Sequence, residues 1–412
     1  MSKFNIIDLF AGCGGLSDGF EKTGHYSSLA FVEWEKSACK TLFHRFRDKW
    51  KYENLDERIF RYDIQKIQNL LNGWHRDNEY GSSKGLLRSI NNRNIDAIIG
   101  GPPCQAYSIA GRVRDEHGMQ FDYRNYLFES YLALVEKFRP KLFLFENVPG
   151  ILSAKPGGML ITERITDAFH KIDYEIIDNL KKFAVLNSFD FGVPQNRKRV
   201  IIVGVDRNQI ISKPLESLKN FYMNIVPSFY TNEKSNVKNA IGDLQKIFPL
   251  ESGDIEFRIS HTLKKENVLE NHKPRFHNKR DQEIFYELAV DALNGKKKYP
   301  NTNSILKLYA DKIGKNSNFF KYNVLEWDKP SNTIPAHLYK DGLRHIHPDP
   351  NQKRSITVRE AARLQSFDDD FVFYGSVGDQ YKMVGNAVPP LMAKGLGFAI
   401  AEFLKENFKN AI

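Results

Sequence analysis

The sequence predicts an α/β fold, a parallel sheet with helices on both faces, joined to a smaller second domain. Three observations predict it. Residues 4–205 alternate short β-rich apolar runs with helix-like segments, the pattern of strands connected by helical crossovers. The first run passes through a glycine turn into a helix start, IIDLFAGCGGLSDGF, which brings backbone close to a ligand above a helix N-terminus. After Val205 the alternation stops, and residues 206–354 are rich in Asn, Lys, Pro and scattered aromatics.

The expected strands are FNIIDLF, SSLAFVEW, IFRYDI, IDAIIGGP, KLFLFENV, YEIIDNL and RVIIVGV. Residues 37–50, 125–138 and 159–172 have helical spacing and few breakers. Residues 65–94 are polar and carry Gly73, Gly81 and Gly85, the composition of a surface insertion. From Thr357 the helical pattern returns, since TVREAARLQSF places a Thr N-cap three residues before a Glu, a capping box. A last helix is expected from about Leu391 to Asn407. The expected domains are therefore 1–205, 206–354, and a segment 355–412 that returns to the first.

Composition narrows the class. No uninterrupted apolar run comes near the roughly 18 to 20 residues of a membrane span, and MSKFNIIDLF enters a strand without the layout of a secretory leader. The chain is expected to start near Met1, with no membrane partner. The three cysteines, Cys13, Cys39 and Cys104, form no CxxC and no zinc-ligand spacing. Such a sparse, odd set suits a reducing, cytoplasmic setting and neither a disulfide scaffold nor a metal. The 412 residues carry 60 Lys+Arg and 50 Asp+Glu, a net charge of +10, which favours a polyanionic partner. Residues 206–354 hold 25 Lys+Arg and 18 Asp+Glu, so +7 of the excess lies there.

The ends of the expected strands carry the chemistry. Gly12, Gly14 and Gly15 open the first turn, though they depart from the dinucleotide GxGxxG spacing. About 20 residues further on, Glu33 can accept from ribose hydroxyls and Trp34 can lie on an adenine face. Asp63 ends the third strand and can accept from an adenine amino group. Singly each residue fits an ordinary strand end. Together, at successive strand ends of one sheet, they point to an adenosine-containing cofactor. The fourth strand runs into GGPPCQAYS, where two prolines stiffen the turn presenting Cys104 as a nucleophile. Glu146 ends the fifth strand, where burial would keep its carboxyl protonated at neutral pH. In FGVPQNRKRVIIVG, Arg197 and Arg199 share one face of an extended segment, one to hold a substrate carbonyl and the other a phosphate or loop, while Lys198 faces away.

The ordered motifs DLFAGCGG, GGPPCQ, DYRNYLF, ENV, QNRKR, TVREAARLQ and GNAVPP give a sequence that resembles the DNA (cytosine-5) methyltransferase family over nearly all of its length except residues 65–94 and 206–354. The resemblance implies a Rossmann-like S-adenosylmethionine-dependent catalytic domain and a variable target recognition domain between QNRKR and TVREAARLQ. It implies that Phe10 and Trp34 flank the adenine, Glu33 holds the ribose, and Asp63 with Ile64 sits at the adenine edge. Backbone around Ala11, Gly12, Gly14 and Leu16, with Pro103, Leu127, Asn386 and Ala387, lines the rest of that pocket. It further implies that Cys104 attacks C6 of a cytosine, Glu146 bonds N3 and the amino group, and Arg199 holds O2.

Because a stacked base cannot enter such a pocket, the cytosine must be flipped out of double-stranded DNA. Residues 106–123, with Arg112, Arg114 and His117, are the expected closing loop. In the basic region Arg258, His261, Arg275, His277, Lys279 and Arg280 are candidates for reading DNA, although HKPRFHNKRD also suits a structural turn with solvated charges. The compact length suggests a prokaryotic restriction-modification enzyme with a cognate endonuclease, for which a monomer suffices. A tRNA cytosine methyltransferase and a non-catalytic nucleic-acid binder are the competing readings.

Overall fold

The computed structural model describes residues 3–103, 127–155, 158–254, 258–263, 269–316, 322–340 and 342–409. The chain divides into two compact units. The first comprises Met1–Gly192, Lys198–Asn232 and Ala387–Ile412, and the second Val193–Arg197 and Glu233–Asn386.

Ten strands lie in the first unit: β1 (Phe4–Leu9), β2 (Tyr26–Glu33), β3 (Ile59–Arg61), β4 (Trp74–Asp77), β5 (Gly81–Ser83), β6 (Ala97–Gly100), β7 (Leu142–Asn147), β8 (Tyr174–Ile176), β9 (Val185–Asn187) and β10 (Lys198–Asp206). Eight of them form one sheet in the order β3-β2-β1-β6-β7-β10-β8, with β9 also paired to β10, while β4 and β5 form a separate hairpin. The strands β3, β2, β1, β6 and β7 run parallel. The sheet is thus mostly parallel, as expected, and departs from that at β10, which pairs antiparallel with β7, β8 and β9. A parallel return needs a crossover of about a dozen residues or more, and the chain between β9 and β10 is too short to supply one for that pair.

The order reverses between β1 and β6. Strands leave that point in both directions, so the C-terminal ends of β1 and β6 flank the crevice where α/β sheets bind ligands. The helices α1 (Gly15–Glu21), α2 (Lys36–Asp48), α3 (Ile67–Asn72), α4 (Leu86–Ile90), α5 (Leu127–Phe138) and α6 (Ile161–Lys171) belong to this unit. Their spacing explains their placement: α2 buries Ala38, Leu42 and Phe46, and α6 buries Ile161, Ile165 and Phe169, each set at four-residue intervals along one face. The C-terminal helix Pro390–Asn407 packs so tightly on α1 that a side chain at Gly19 would come within 2.3 Å of Ala393 Cβ. The most apolar window within Val377–Asn407 is 72% buried, as a core helix is.

The second unit has little sheet. Its hairpin pairs β11 (Ile247–Asp254) with β12 (Ile259–Leu263), and its helices include α7 (Lys279–Leu293), α8 (Thr302–Ile313), α9 (Val358–Leu364) and α10 (Val377–Asn386). Ile284, Phe285, Leu288, Leu308, Tyr322 and Ile346 form its core. The unit boundaries fall elsewhere than 205/206 and 354/355. Residues 206–232 stay in the first unit because Tyr222 reaches back to β10, its hydroxyl donating to Ile201 O at 2.8 Å and accepting from Val203 N–H at 2.9 Å. Residues 355–386 stay in the second because Arg354 and Glu360 pair within it.

Candidate active site and cofactor pocket

At the end of β1 the chain turns with Phe10, Gly12 and Gly14 all at positive φ, 60°, 56° and 91°. Glycine is required at the third position, where an added Cβ would also stand 2.5 Å from Leu42 on α2. At Gly12 an added Cβ would meet nothing within 4 Å, so the turn presents bare backbone to open space. The neighbouring strand end fixes this turn. Glu33 Oε2 accepts from Gly12 N–H at 2.8 Å, while Oε1 accepts from Trp34 N–H at 2.9 Å and Glu35 N–H at 2.8 Å. Burial raises the Glu33 pKa, and these three donors oppose it. Beneath the turn, burial pushes Asp8 up to about 7 against the opposing hydrogen bond from Ser17 Oγ.

Around that turn Ala11 and Leu16 are buried, and Trp34 keeps 49% of its surface exposed beside buried Glu33. Asp63 follows β3 in a tight turn, its Oδ1 accepting from Gln65 N–H at 3.0 Å, and Ile64 is buried. Leu127 opens α5 and is buried. The glycine turn, Glu33, Trp34, Asp63, Ile64, Pro103 and Leu127 thus belong to one unit, as does Ala387, whereas Asn386 ends α10 in the second unit. Bare turn backbone, a strand-end carboxylate and an exposed indole suit an adenosine ligand by their chemistry.

Glu146 lies in β7 opposite Ile201 of β10, two residues from Arg199 on the same strand. Arg199 Nε donates to Glu146 Oε1 at 2.7 Å, and the two side chains are only 9% and 11% exposed. Burial is therefore not the whole environment expected for Glu146, since a guanidinium lies on it. Gly101 makes room for this carboxylate, because a Cβ there would come within 2.6 Å of Glu146 Oε2. Asn147, which residue-type reasoning passed over, donates through Nδ2 to Pro102 O at 3.3 Å and braces the turn leading to Cys104. Its position inside ENV was the available signal. Cys104 itself, with Arg112, Arg114 and His117, lies outside the described residues.

Several expectations are corrected. Arg197 does not share a site face with Arg199: it is fully buried in the second unit and donates to Ile334 O at 2.8 Å and Gly385 O at 2.7 Å. Lys198, as expected, is exposed. His261 and His277 are buried scaffold and not base readers. His261 lies 2.8 Å from Ser260 Oγ and 3.0 Å from Gln352 O, and His277 Nε2 accepts from Ser355 N–H at 3.2 Å. Burial lowers His261 to about 4 and His277 well below its usual value. Arg275 stacks 4.3 Å from the Tyr381 ring and donates to Leu338 O at 2.9 Å. Only Arg258, Lys279 and Arg280 of the six candidates are exposed. Lys279 Nζ reaches Leu250 O at 2.7 Å, and Arg280 pairs with Asp281 at 3.2 Å.

The expected capping box is present. Thr357 N–H donates to Glu360 Oε2 at 2.7 Å and Glu360 N–H to Thr357 Oγ1 at 3.2 Å. Glu360 also takes both arms of the fully buried Arg354, at 2.6 and 2.7 Å. That guanidinium holds its carboxyl well below the usual range despite burial.

Comparison with known proteins fits this architecture. The model of the C-5 cytosine-specific DNA methylases matches residues 4–402. Type II methyltransferase M.Bpa9945I of Bacillus paralicheniformis is 35% identical, covering 97% of this chain and 99% of its own length. Type II methyltransferase M.DdeI of Desulfomicrobium norvegicum is 32% identical over 98% of this chain and 89% of its own. Among solved structures, a candidate DNA modification methyltransferase encoded within a prophage (E. coli) superposes with a TM-score of 0.63 at 23% identity, covering 98% of this chain and all of that one, a likeness of fold. The chain belongs to the C-5 cytosine-specific DNA methylase family. It is a DNA (cytosine-5-)-methyltransferase, its substrate is DNA, and the family implies S-adenosylmethionine as the methyl donor.

Proposed function

We propose that this enzyme modifies one short sequence in duplex DNA as the methyltransferase of a type II restriction-modification system, with Cys104 as its nucleophile. The observation that carries this reading is the buried Glu146–Arg199 pair, at the strand ends beside the Gly-Gly-Pro-Pro turn that leads to Cys104. The near full-length match to type II methyltransferases supports the biological setting, in which a cognate endonuclease cuts the same unmethylated site. Reading of the DNA sequence falls to the second unit, with Arg258, Lys279 and Arg280 among its exposed cations.

In this reading Phe10 and Trp34 flank the adenine, Glu33 holds the ribose and Asp63 with Ile64 meets the adenine edge. Ala11, Gly12, Gly14, Gly15, Leu16, Pro103, Leu127 and Ala387 supply the remaining contacts from the first unit. When bound, S-adenosylmethionine supplies an electrophilic methyl group on a sulfonium and leaves as S-adenosylhomocysteine.

Cytosine C5 is a poor nucleophile. Attack of the Cys104 thiolate on C6 makes an S–C bond and moves the ring π-electrons toward N3, which takes a proton from the Glu146 carboxyl and returns it when the thiolate leaves, while Arg199 holds O2. C5 can then take the methyl group. Loss of the C5 proton to water returns the electron pair to the ring and expels the Cys104 thiolate, so the enzyme is regenerated. The base reaches this pocket by flipping, which costs a few kcal/mol.

Replacing the C5 hydrogen by fluorine removes the proton that must leave. Duplex DNA carrying 5-fluorocytosine is therefore expected to accumulate as a covalent adduct on Cys104, located by peptide mass spectrometry. Cys104→Ala is expected to bind S-adenosylmethionine and DNA yet form no adduct and transfer no methyl group. An adduct elsewhere, or turnover by Cys104→Ala, would remove Cys104 from this role.

A further inference from the structure

The polar insertion at residues 65–94 is not an independent surface decoration. Its hairpin β4–β5 folds onto the residue immediately before Asp63. The Trp74 indole stacks on the Tyr62 ring at 3.9 Å with 19° between planes, and Tyr80 meets the same ring edge-on at 5.1 Å. Asn69 Nδ2 donates to the Tyr62 hydroxyl at 3.0 Å. The ammonium of Lys66 lies 5.5 Å from the Tyr62 ring and 5.9 Å from that of Tyr80, while Arg61 sits 5.1 Å from Tyr80 and donates to Glu79 O at 2.8 Å.

The hairpin's base is closed just as tightly. Gly73 and Gly85 both take positive φ, 101° and 79°, and a Cβ at Gly85 would stand 2.3 Å from Gly73 N. A two-stranded hairpin is at best marginally stable alone. This one gains its order by covering Tyr62, so the hairpin's fold and the setting of residues 62–64 are coupled. On the other side, Tyr62 N–H donates to Glu33 O at 3.1 Å. Tyr62 therefore links the hairpin to two strand ends, one carrying Glu33 and the other Asp63.

We infer that Trp74 is a positioning residue for the adenine end of the cofactor pocket, acting through its stack on Tyr62 to hold Asp63 and Ile64 in place. The inference rests on the reading of Asp63 and Ile64 as the adenine edge. Trp74 need not touch the ligand. A ring that only filled space over Tyr62 would contribute to stability, whereas a positioning ring contributes to cofactor affinity and does so only while Asp63 is present to be positioned.

A double-mutant cycle separates these roles, read by calorimetric titration of the full chain with S-adenosylmethionine alone. Trp74→Ala, and Trp74→Leu as a variant that keeps apolar bulk over Tyr62, are expected to weaken binding by about five- to tenfold. Trp74→Phe should restore most of it. In an Asp63→Ala background, already weakened, the same Trp74 changes are expected to have no further effect. Unchanged affinity in Trp74→Leu and Trp74→Ala, or losses that simply multiply with that of Asp63→Ala, would overturn the inference. Unchanged affinity in Asp63→Ala alone would overturn the adenine-edge reading beneath it, which is a distinguishable result.

Discussion

The two units differ in which of their buried carboxyls and imidazoles burial shifts toward neutrality. In the first, the buried groups shifted toward neutrality are acids: Asp8 is pushed up to about 7, and Glu21 and Glu33 are raised, in each case chiefly by desolvation. In the second they are bases: desolvation lowers His261 and His345 to about 4 and His347 to about 3. Asp8 and Glu33 sit under or beside the glycine turn, where a carboxylate can take backbone donors and still face a ligand, while Glu21 ends α1 and accepts from Ser28 and Tyr52. His261 and His347 lie near Arg354, and His347 Nε2 is 3.5 Å from Glu360 Oε1. Burial serves chemistry at a sheet edge in one unit and scaffold in the other, which has little sheet to organise it.

This contrast can be tested first where the effect is largest. Glu146→Gln is expected to lower methyl transfer by about 10² to 10⁴ while leaving S-adenosylmethionine and DNA affinity nearly unchanged, as single-turnover assays with parallel binding titrations would measure. Loss of cofactor affinity instead would place Glu146 in the pocket and not at the base. Next, Glu360→Gln leaves the Arg354 guanidinium buried without its counter-charge. It should cost about 3 to 5 kcal/mol, read by hydrogen exchange as loosening of residues 233–386. Calorimetry should find cofactor binding by the first unit retained.

The smaller effect is that of pH, and its sign differs between the units. Between about 6.5 and 4 the unfolded chain protonates His261, His345 and His347 while the folded unit does not. The unfolded state binds more protons, so stability falls as pH falls. For Asp8 the folded group holds its proton up to about 7 and the unfolded group releases it near its ordinary value of 3.8, so stability rises as pH falls through that window. From pH 7 to 5, each histidine is expected to cost the second unit about 2 kcal/mol, and Asp8 to return about 2 kcal/mol to the first. Hydrogen exchange at the two pH values should show protection moving in opposite directions, and a parallel change in both would break the comparison.

The same contrast explains what was legible. A strand–turn–helix pattern puts polar residues at C-terminal strand ends, so the positions of Glu33, Asp63 and Glu146 were readable from order alone, whereas Arg199 lies at the start of β10. Strand direction was not readable, because the apolar run of β10 looks the same whether it runs parallel or antiparallel. The second unit offered no period to say which side chains turn inward. His261, His277 and Arg275 therefore read as DNA-facing cations, whereas their neighbours Ser355, Gln352 and Tyr381 take them up from distant parts of the sequence. Two-residue spacing suggested that Arg197 and Arg199 share a face, but the chain passes from the second unit to the first between them. Only Trp74 and Tyr80, two aromatics in a polar insertion, hinted that residues 65–94 were anchored.

The most direct test of the account is to incubate the purified chain and S-adenosylmethionine with mixed-sequence duplex DNA and map 5-methylcytosine by conversion sequencing. Methylation confined to one short motif is the predicted result. Transfer to tRNA in place of duplex DNA, or no transfer by protein that binds the cofactor, would contradict it.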